Sequence, residues 1–327
     1  MQIVISAVGV LITCWLIAIK TYICVRKGLI DILDEITEYE GRIMDSNNEP
    51  IKRMYLRKAS FCNNMCRGQA FVQIICAIAM YYLGIVGDQQ LIAYNRANNS
   101  TIDSYYWYQF WFPGYKLDHM VWIYTLNLMF GWSACSANVV CHSIIGTLMI
   151  FAAAQLQVLN LQLRSFIAEG DDVKRKTAEL KTYVRQHQSL ISYVSRLNKE
   201  IRIIVLMHFM LNSIEIATGV TGLLKDIPVT HVIFLLTYIN LTSYQLIMTA
   251  WNANEILDQS TSIGDALYAS HWRLLNKEGK MICLIMIQRS QKPLTVTIGP
   301  FGPMTNQSAL MVIKAAYSYI SIMNTGN

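Results

Sequence analysis

From Val121 to Leu163 the chain runs for 43 residues without one Asp, Glu, Lys or Arg, and His142 is the only group there that titrates near neutral pH. At 1.5 Å per residue, a helix of that length is roughly twice the thickness of a bilayer's hydrocarbon core. Either two spans fold here, or one span continues into a long extension. Two spans would invert every later connection and carry the basic stretch 162–201 to the outside, so one span with an extension is expected. The rest of the chain agrees with a bilayer as solvent. It is 54% hydrophobic and only 15% charged over 327 residues, more apolar surface than one soluble core of that size needs to bury.

Six apolar segments emerge: 2–25, 68–87, 120–142 with a continuation to about 161, 202–224, 229–251 and 304–323. An all-α polytopic membrane protein with six spans is therefore expected. A further run, MICLIMIQ at 281–288, is too short to cross and reads as a buried or interfacial helix. Residues 2–19 lack a basic leader and a small-residue cleavage site, so they read as a permanent span. Lys and Arg alternate by connection: eight in 26–67, two in 88–119, eight in 162–201, Lys225 alone in the tight turn, and five in 252–303. That places the first, third and fifth connections in the cytoplasm and the C-terminus outside. Asn98 and Asn99 head two overlapping sequons in a connection expected outside, and are the glycosylation candidates. The net charge of +6 sits in these connections as an orientation signal, so no nucleic-acid partner is expected.

Catalysis finds no support, because no nucleophile elbow, zincin helix, P-loop or dinucleotide turn is present. Six histidines are scattered without metal-ligand spacing and read as loop or helix-face residues. Cys62 and Cys66 stand four apart with no second pair, and the other cysteines lie in spans or cytoplasmic parts, so neither zinc nor disulfides are expected. No cofactor or metal is called for. His208 and Glu215 share a face two turns apart at membrane depth, which suggests a functional role or, preferably, an interhelical hydrogen bond. The extension AQLQVLNLQLR and the stretch LKTYVRQHQSLISYVSRLNKEIRII read as amphipathic helices packing below the membrane.

Two features bear on ligands and ions. Aromatics crowd YYWYQFWFPGY at 105–115 and its borders. Most suit an interfacial belt, but Tyr81, Tyr82, Trp122, Met129 and Tyr238 fall in the outer halves of their helices, where an apolar pocket would hold a small lipophilic ligand. In the closing helix Gln307, Lys314, Ser318, Ser321 and Thr325 form one stripe. Lipid would leave that stripe unsatisfied, so it faces water or other helices, either of its own subunit or around an axis shared by several copies.

The tail KPLTVTIGPFGPMTNQSALMVIKAAYSYISIM, with its Lys-Pro lead-in, Gly-Pro-Phe turn and Tyr-Ser-Tyr step, resembles the C-terminal signature of insect odorant receptors. LYASHWRLL at 267–275 and LIMIQRSQKP at 284–293 are similar to that family in order and spacing. Ile320 departs from the Phe that more often follows Tyr-Ser-Tyr. The resemblance implies a seven-helix fold with an external C-terminus, working as a tetrameric ligand-gated cation channel. It implies that 304–325 lines the pore, with Ser318, Ile322 and Thr325 toward the axis and Ile322 as a hydrophobic gate. It also implies that 143–201 and 252–303 supply cytoplasmic anchor helices within a single domain, 1–327. LIAIKTYICVRKGLIDIL resembles the stretch leaving the family's second helix, so one N-terminal span is expected to be absent and the N-terminus external.

Because the connection at 162–201 is short, the resemblance is to a ligand-tuned subunit rather than the shared co-receptor. The expected function is an odorant-gated, non-selective cation channel subunit of the plasma membrane, in olfactory sensory neuron dendrites. Its expected partners are the odorant co-receptor in a heterotetramer, small volatile odorants and membrane lipid. Alternatives are a metabotropic, G-protein-coupled chemoreceptor, a transporter, or a non-functional truncated receptor. Lys314 would repel cations at an axis, and is expected to be buried against polar partners or to point intracellularly.

Overall fold

The computed structural model describes residues 14–15, 17–45, 48–99, 119–223 and 229–325. Much of the first apolar segment, the aromatic run at 105–115 and Lys225 lie outside the described residues, as does Ser100 in the sequons. A helical stretch over 17–24 (α1) precedes α2 (Lys27–Asp45), α3 (Glu49–Asn98), α4 (Met120–Arg164), α5 (Val173–Leu223) and α6 (Val229–Ala269). A 3-10 turn at Trp272–Leu274 leads to α7 (Lys277–Ser290), and α8 (Asn306–Thr325) closes the chain. The end of the bundle where α3 and α5 stop and α4 and α6 start is its upper end here.

The charge-free third segment is one continuous helix of 45 residues, about 67 Å long. Its lower half differs from expectation, because it is buried on nearly every side rather than amphipathic. Leu148, Ala152, Leu156, Leu159 and Leu163 are all fully buried, and so is Gln155 at 2% exposure. Three consecutive alanines, Ala152 to Ala154, leave room for neighbours to close around it. The connection at 26–67 is likewise not a loop: α2 and the first third of α3 are helical. Asn48 begins α3 by accepting from Ile51 N at 3.4 Å, with Pro50 in the first turn.

Below the membrane-length stretches, α4 is the centre post. Phe151 stacks edge-on to Tyr39 of α2, with centroids 6.0 Å apart, and lies 5.5 Å from Tyr193 of α5, whose hydroxyl donates to Leu148 O. The lower half of α5 is amphipathic as expected. Leu190, Tyr193, Val194, Leu197, Ile201 and Ile204 are buried at helical spacing. Ion pairs Arg196–Glu35 (2.6 Å), Lys181–Glu278 (2.7 Å) and Lys58–Glu255 (2.8 Å) sew the rim; partly exposed pairs of this kind contribute about 0.5 kcal/mol each.

His187 is a helix-face residue as expected, but a buried one, only 4% exposed on α5. Burial, reinforced by the Arg289 guanidinium, pushes its imidazole from the ordinary 6.5 down to about 4. The folded chain therefore binds this proton less readily than the unfolded chain. Stability from the neutral ring is present above pH 6.5 and is lost as pH falls from there through about 4. Unfolding midpoints measured across that window should drop for the native chain, and His187→Gln should flatten the drop.

The short apolar run is a helix, α7, capped by Asn276, which accepts from Gly279 N at 2.8 Å. It buries Cys283 and Met286 and leaves Met281, Leu284 and Ile285 at least half exposed. Beyond it the tail folds back in a tight turn. Ile298 N donates to Gly302 O and Met304 N to Val296 O, both at 2.8 Å. Gly299 and Gly302 have φ of 51° and 120°, backbone that only glycine adopts at low cost. The turn is fastened to α5: Thr297 N donates to Asn198 Oδ1 at 2.8 Å and Gly299 N to Arg202 O at 3.2 Å. Thr305 and Ser308 then cap α8 reciprocally, each backbone N–H meeting the other's hydroxyl.

Candidate functional site

Along α3 an outward stripe of Phe71, Ile74, Ile75, Ile78 and Tyr82 is 42–65% exposed. The helical spacing makes it one face, and a face this apolar needs an apolar solvent. Among the described residues, α3 and α4 are each long and apolar enough to cross a bilayer.

Inside this outer surface the upper bundle holds two aromatic groupings. Tyr124 of α4 donates its hydroxyl to the buried Asp88 of α3 at 2.5 Å and meets Tyr81 edge-on at 5.6 Å. One helix away, Tyr238 of α6 packs with Cys76, Leu83, Leu241, Val72 and Leu235 and hydrogen-bonds Glu215 of α5. Tyr81 and Tyr238 thus occupy half-buried positions between helices. Tyr82, Trp122 and Met129 sit on outer helix faces at 62%, 70% and 62% exposure. Neighbouring residues on a helix point about 100° apart, so Tyr81 and Tyr82 cannot both face inward. Asn98 and Asn99 are exposed where α3 ends, Asn99 being its left-handed cap.

Lower down, a polar cluster joins three helices. Lys20 Nζ of α1 lies 3.4 Å from His208 Nδ1 of α5 and 3.5 Å from Asn138 Oδ1 of α4. Asn212 holds the other ring nitrogen of His208 at 2.9 Å, and the His142 ring stacks edge-on against His208 at 4.2 Å. A protonated Lys20 requires His208 Nδ1 to accept, which puts the ring proton on Nε2 and turns the Asn212 carbonyl toward it. His208 and Glu215 do share one inward face, and each bonds a neighbouring group. Lys20, 4% exposed, went unnoticed in the sequence. Its signal was present, as a lone cation inside an apolar segment.

On α8 the described part of the polar stripe turns away from its own chain. Gln307, Lys314 and Ser318 are exposed, whereas Ala309 and Val312 are buried. Lys314 is therefore exposed, which removes burial against polar partners, one of its two expected placements. It is a turn below Ser318 on the outward face, because Ala309 and Val312 take the inward one. Ile322 and Thr325 fall in the last turns of α8, past the described side chains.

Comparison with known proteins gives one answer. Residues 1–317 match the profile of the family described as 7tm Odorant receptor. Odorant receptor 10 of Aedes albopictus is 26% identical over 214 residues, covering 64% of this chain and 56% of that one. Odorant receptor Or2 of Anopheles gambiae is 25% identical, covering 62% and 55%. These alignments thus span little more than half the length of the mosquito relatives. Odorant receptor 67c of Drosophila melanogaster is 20% identical over 92% of this chain and 74% of its own. In three dimensions the fold matches the olfactory receptor OR5 of Machilis hrabei, solved in complex with eugenol. The TM-score is 0.69 at 15% identity, over 99% of this chain and 82% of that one.

Proposed function

This chain belongs to the 7tm odorant receptor family, and from that premise we propose that it is the ligand-tuned subunit of a heteromeric, odorant-gated, non-selective cation channel. The observation that carries the reading is the outward polar stripe of α8. A single stripe cannot enclose water, so it calls for several α8 helices around an axis, supplied by an odorant co-receptor in a heterotetramer. Ser318, Ile322 and Thr325 would then line the conduit, with Ile322 as its apolar gate. The exposed apolar face of α7 supports subunit contacts in the lower assembly formed by 143–201 and 252–303, taken as cytoplasmic.

The odorant is assigned to the upper bundle, between Tyr81 and Tyr238, with Tyr82, Trp122 and Met129 turned to lipid. That the Machilis receptor was solved with eugenol accords with a small ligand. Binding can shift α8 only through unequal affinity for the closed and open states. The chain would act in the plasma membrane of olfactory sensory neuron dendrites, with its C-terminus external.

Co-expression with the co-receptor in oocytes, against a panel of small volatiles, tests this. Some volatile should evoke an inward current carried by Na⁺ and K⁺ alike, insensitive to G-protein inhibitors, and absent when this chain is expressed alone. A response abolished by blocking G proteins would favour the metabotropic alternative.

A further inference from the structure

About seven residues below Tyr238 on α6, roughly 10 Å along the helix, a crevice opens between α3, α4 and α6. Gln69, His142, Gln245, Thr249 and Asn252 line it together with Gly146, three methionines and Ile145, with about 20 Å³ of free volume. Gln69 is 4% exposed, and its Nε2 meets no protein acceptor; His142 Nε2 is sealed from solvent and likewise meets no partner. Both atoms belong to side chains lining the same crevice. An amide NH₂ or a ring nitrogen left dry at this depth forfeits its hydration without replacement, so two such atoms beside one small cleft call for a partner that satisfies both. A cleft of this size takes one water, which needs about 10–15 Å³ and two to four polar partners.

We propose that this crevice is a buried hydration site, in which one water accepts from Gln69 Nε2, bonds His142 Nε2, and uses the amides of Gln245 and Asn252 as further partners. The water ties α3 to α4 and α6 at the level where His142 stacks on His208. It thereby links the Lys20 cluster of α1, α4 and α5 to α3 and α6. Gly146 forms part of the wall, where the Met65 methyl fills the place a Cβ would take, 2.7 Å from it. Gln245 is otherwise engaged through Nε2 with Gln73 Oε1 at 3.3 Å, and Asn252 Nδ2 with Met65 Sδ at 3.5 Å. Both therefore offer their carbonyl oxygens to a donor. A bridge of this kind would add α4 to the direct α6–α3 contacts that Gln245 makes with Gln73 and Asn252 with Met65.

The sign of a stability change separates a wet crevice from a dry one. If the crevice were dry, Gln69→Met would remove an unsatisfied amide and leave the melting midpoint of the purified receptor unchanged or higher. With a shared water, Gln69→Met lowers the midpoint by several degrees and His142→Phe does the same. The double variant falls no further than the worse single one, because each removes the same bridge. An unchanged or raised midpoint for Gln69→Met, or fully additive losses, overturns the proposal. Should either variant fail to fold, a cryo-EM map of the native receptor decides. Density within hydrogen-bond reach of both Nε2 atoms supports the site, and its absence in a map that shows other internal waters removes it.

Discussion

Ser318→Lys is expected to cut the odour-evoked cation current by about threefold to a hundredfold, without loss of surface expression. Ser318 is exposed on the α8 face that carries Gln307 and Lys314, and the proposal turns that face toward the conduit. A fixed ammonium about 6 Å from a passing cation costs roughly 0.7 kcal/mol through bulk water and roughly 2.8 kcal/mol at an effective dielectric near 20. With about 1.4 kcal/mol per decade of rate, the suppression is about threefold in a wide wet pore and about a hundredfold in a narrow one. Ser318→Thr keeps the hydroxyl and should conduct nearly as the native chain does. Lys314 sits one turn lower on the same face, so Lys314→Gln should raise cation current, and by less than Ser318→Lys lowers it. Unaltered current and ion selectivity in Ser318→Lys would remove α8 from the pore.

Gly299→Val is expected to destabilise the chain by about 3 kcal/mol and to abolish the current. Two penalties combine at this residue. Its φ of 51° is a left-handed backbone that costs an L residue about 1–2 kcal/mol, and more when the side chain is β-branched. A Cβ here would also stand 2.8 Å from Leu206 Cδ2 of α5, and forced overpacking costs about 1–3 kcal/mol. Either the turn lifts off α5, breaking the Gly299 N–Arg202 O bond, or Leu206 is displaced into its neighbours. The turn sets where α8 begins, so both outcomes misplace the closing helix. Gly302→Ala is a useful contrast: φ there is 120°, but nothing stands within 4 Å of its Cβ position, so only the backbone penalty applies. Denaturation of the two variants side by side, with native-like stability for Gly299→Val, would show that the turn is not the clamp described here.

Much of the architecture was legible in the chain. The charge-free run at 121–163 implied one long helix, and α4 is one helix of 45 residues. MICLIMIQ implied a short helix, and α7 covers it. The Gly-Pro-Phe-Gly stretch implied a turn, because glycine alone tolerates the two left-handed steps it contains. Harder to read was the connection at 26–67. Its charges suggested a loop, yet Lys27, Asp31, Asp34, Arg53 and Arg57 are exposed on α2 and α3, whose inner faces bury Leu29, Ile32, Ile51 and Tyr55.

The candidate site was legible only in outline. His208 and Glu215 were recognisable as sharing a face because they stand two turns apart inside an apolar run, and Tyr238 only by its height in the outer half of its helix. Tyr81 and Tyr82 could not be told apart, since both lie at the same depth and only the position of α4 selects Tyr81, through Tyr124. Lys20 meets His208 across 188 residues of sequence, and Gln69 meets the His142 crevice across three helices. Sequence alone decided which stretches are apolar enough to reach a bilayer and at what height their residues lie, because charge, proline and glycine act locally on the backbone and on its solvent. Tertiary structure alone decided which side of each helix finds a partner, because that depends on the rotation of helices packed against one another by residues far apart in the chain.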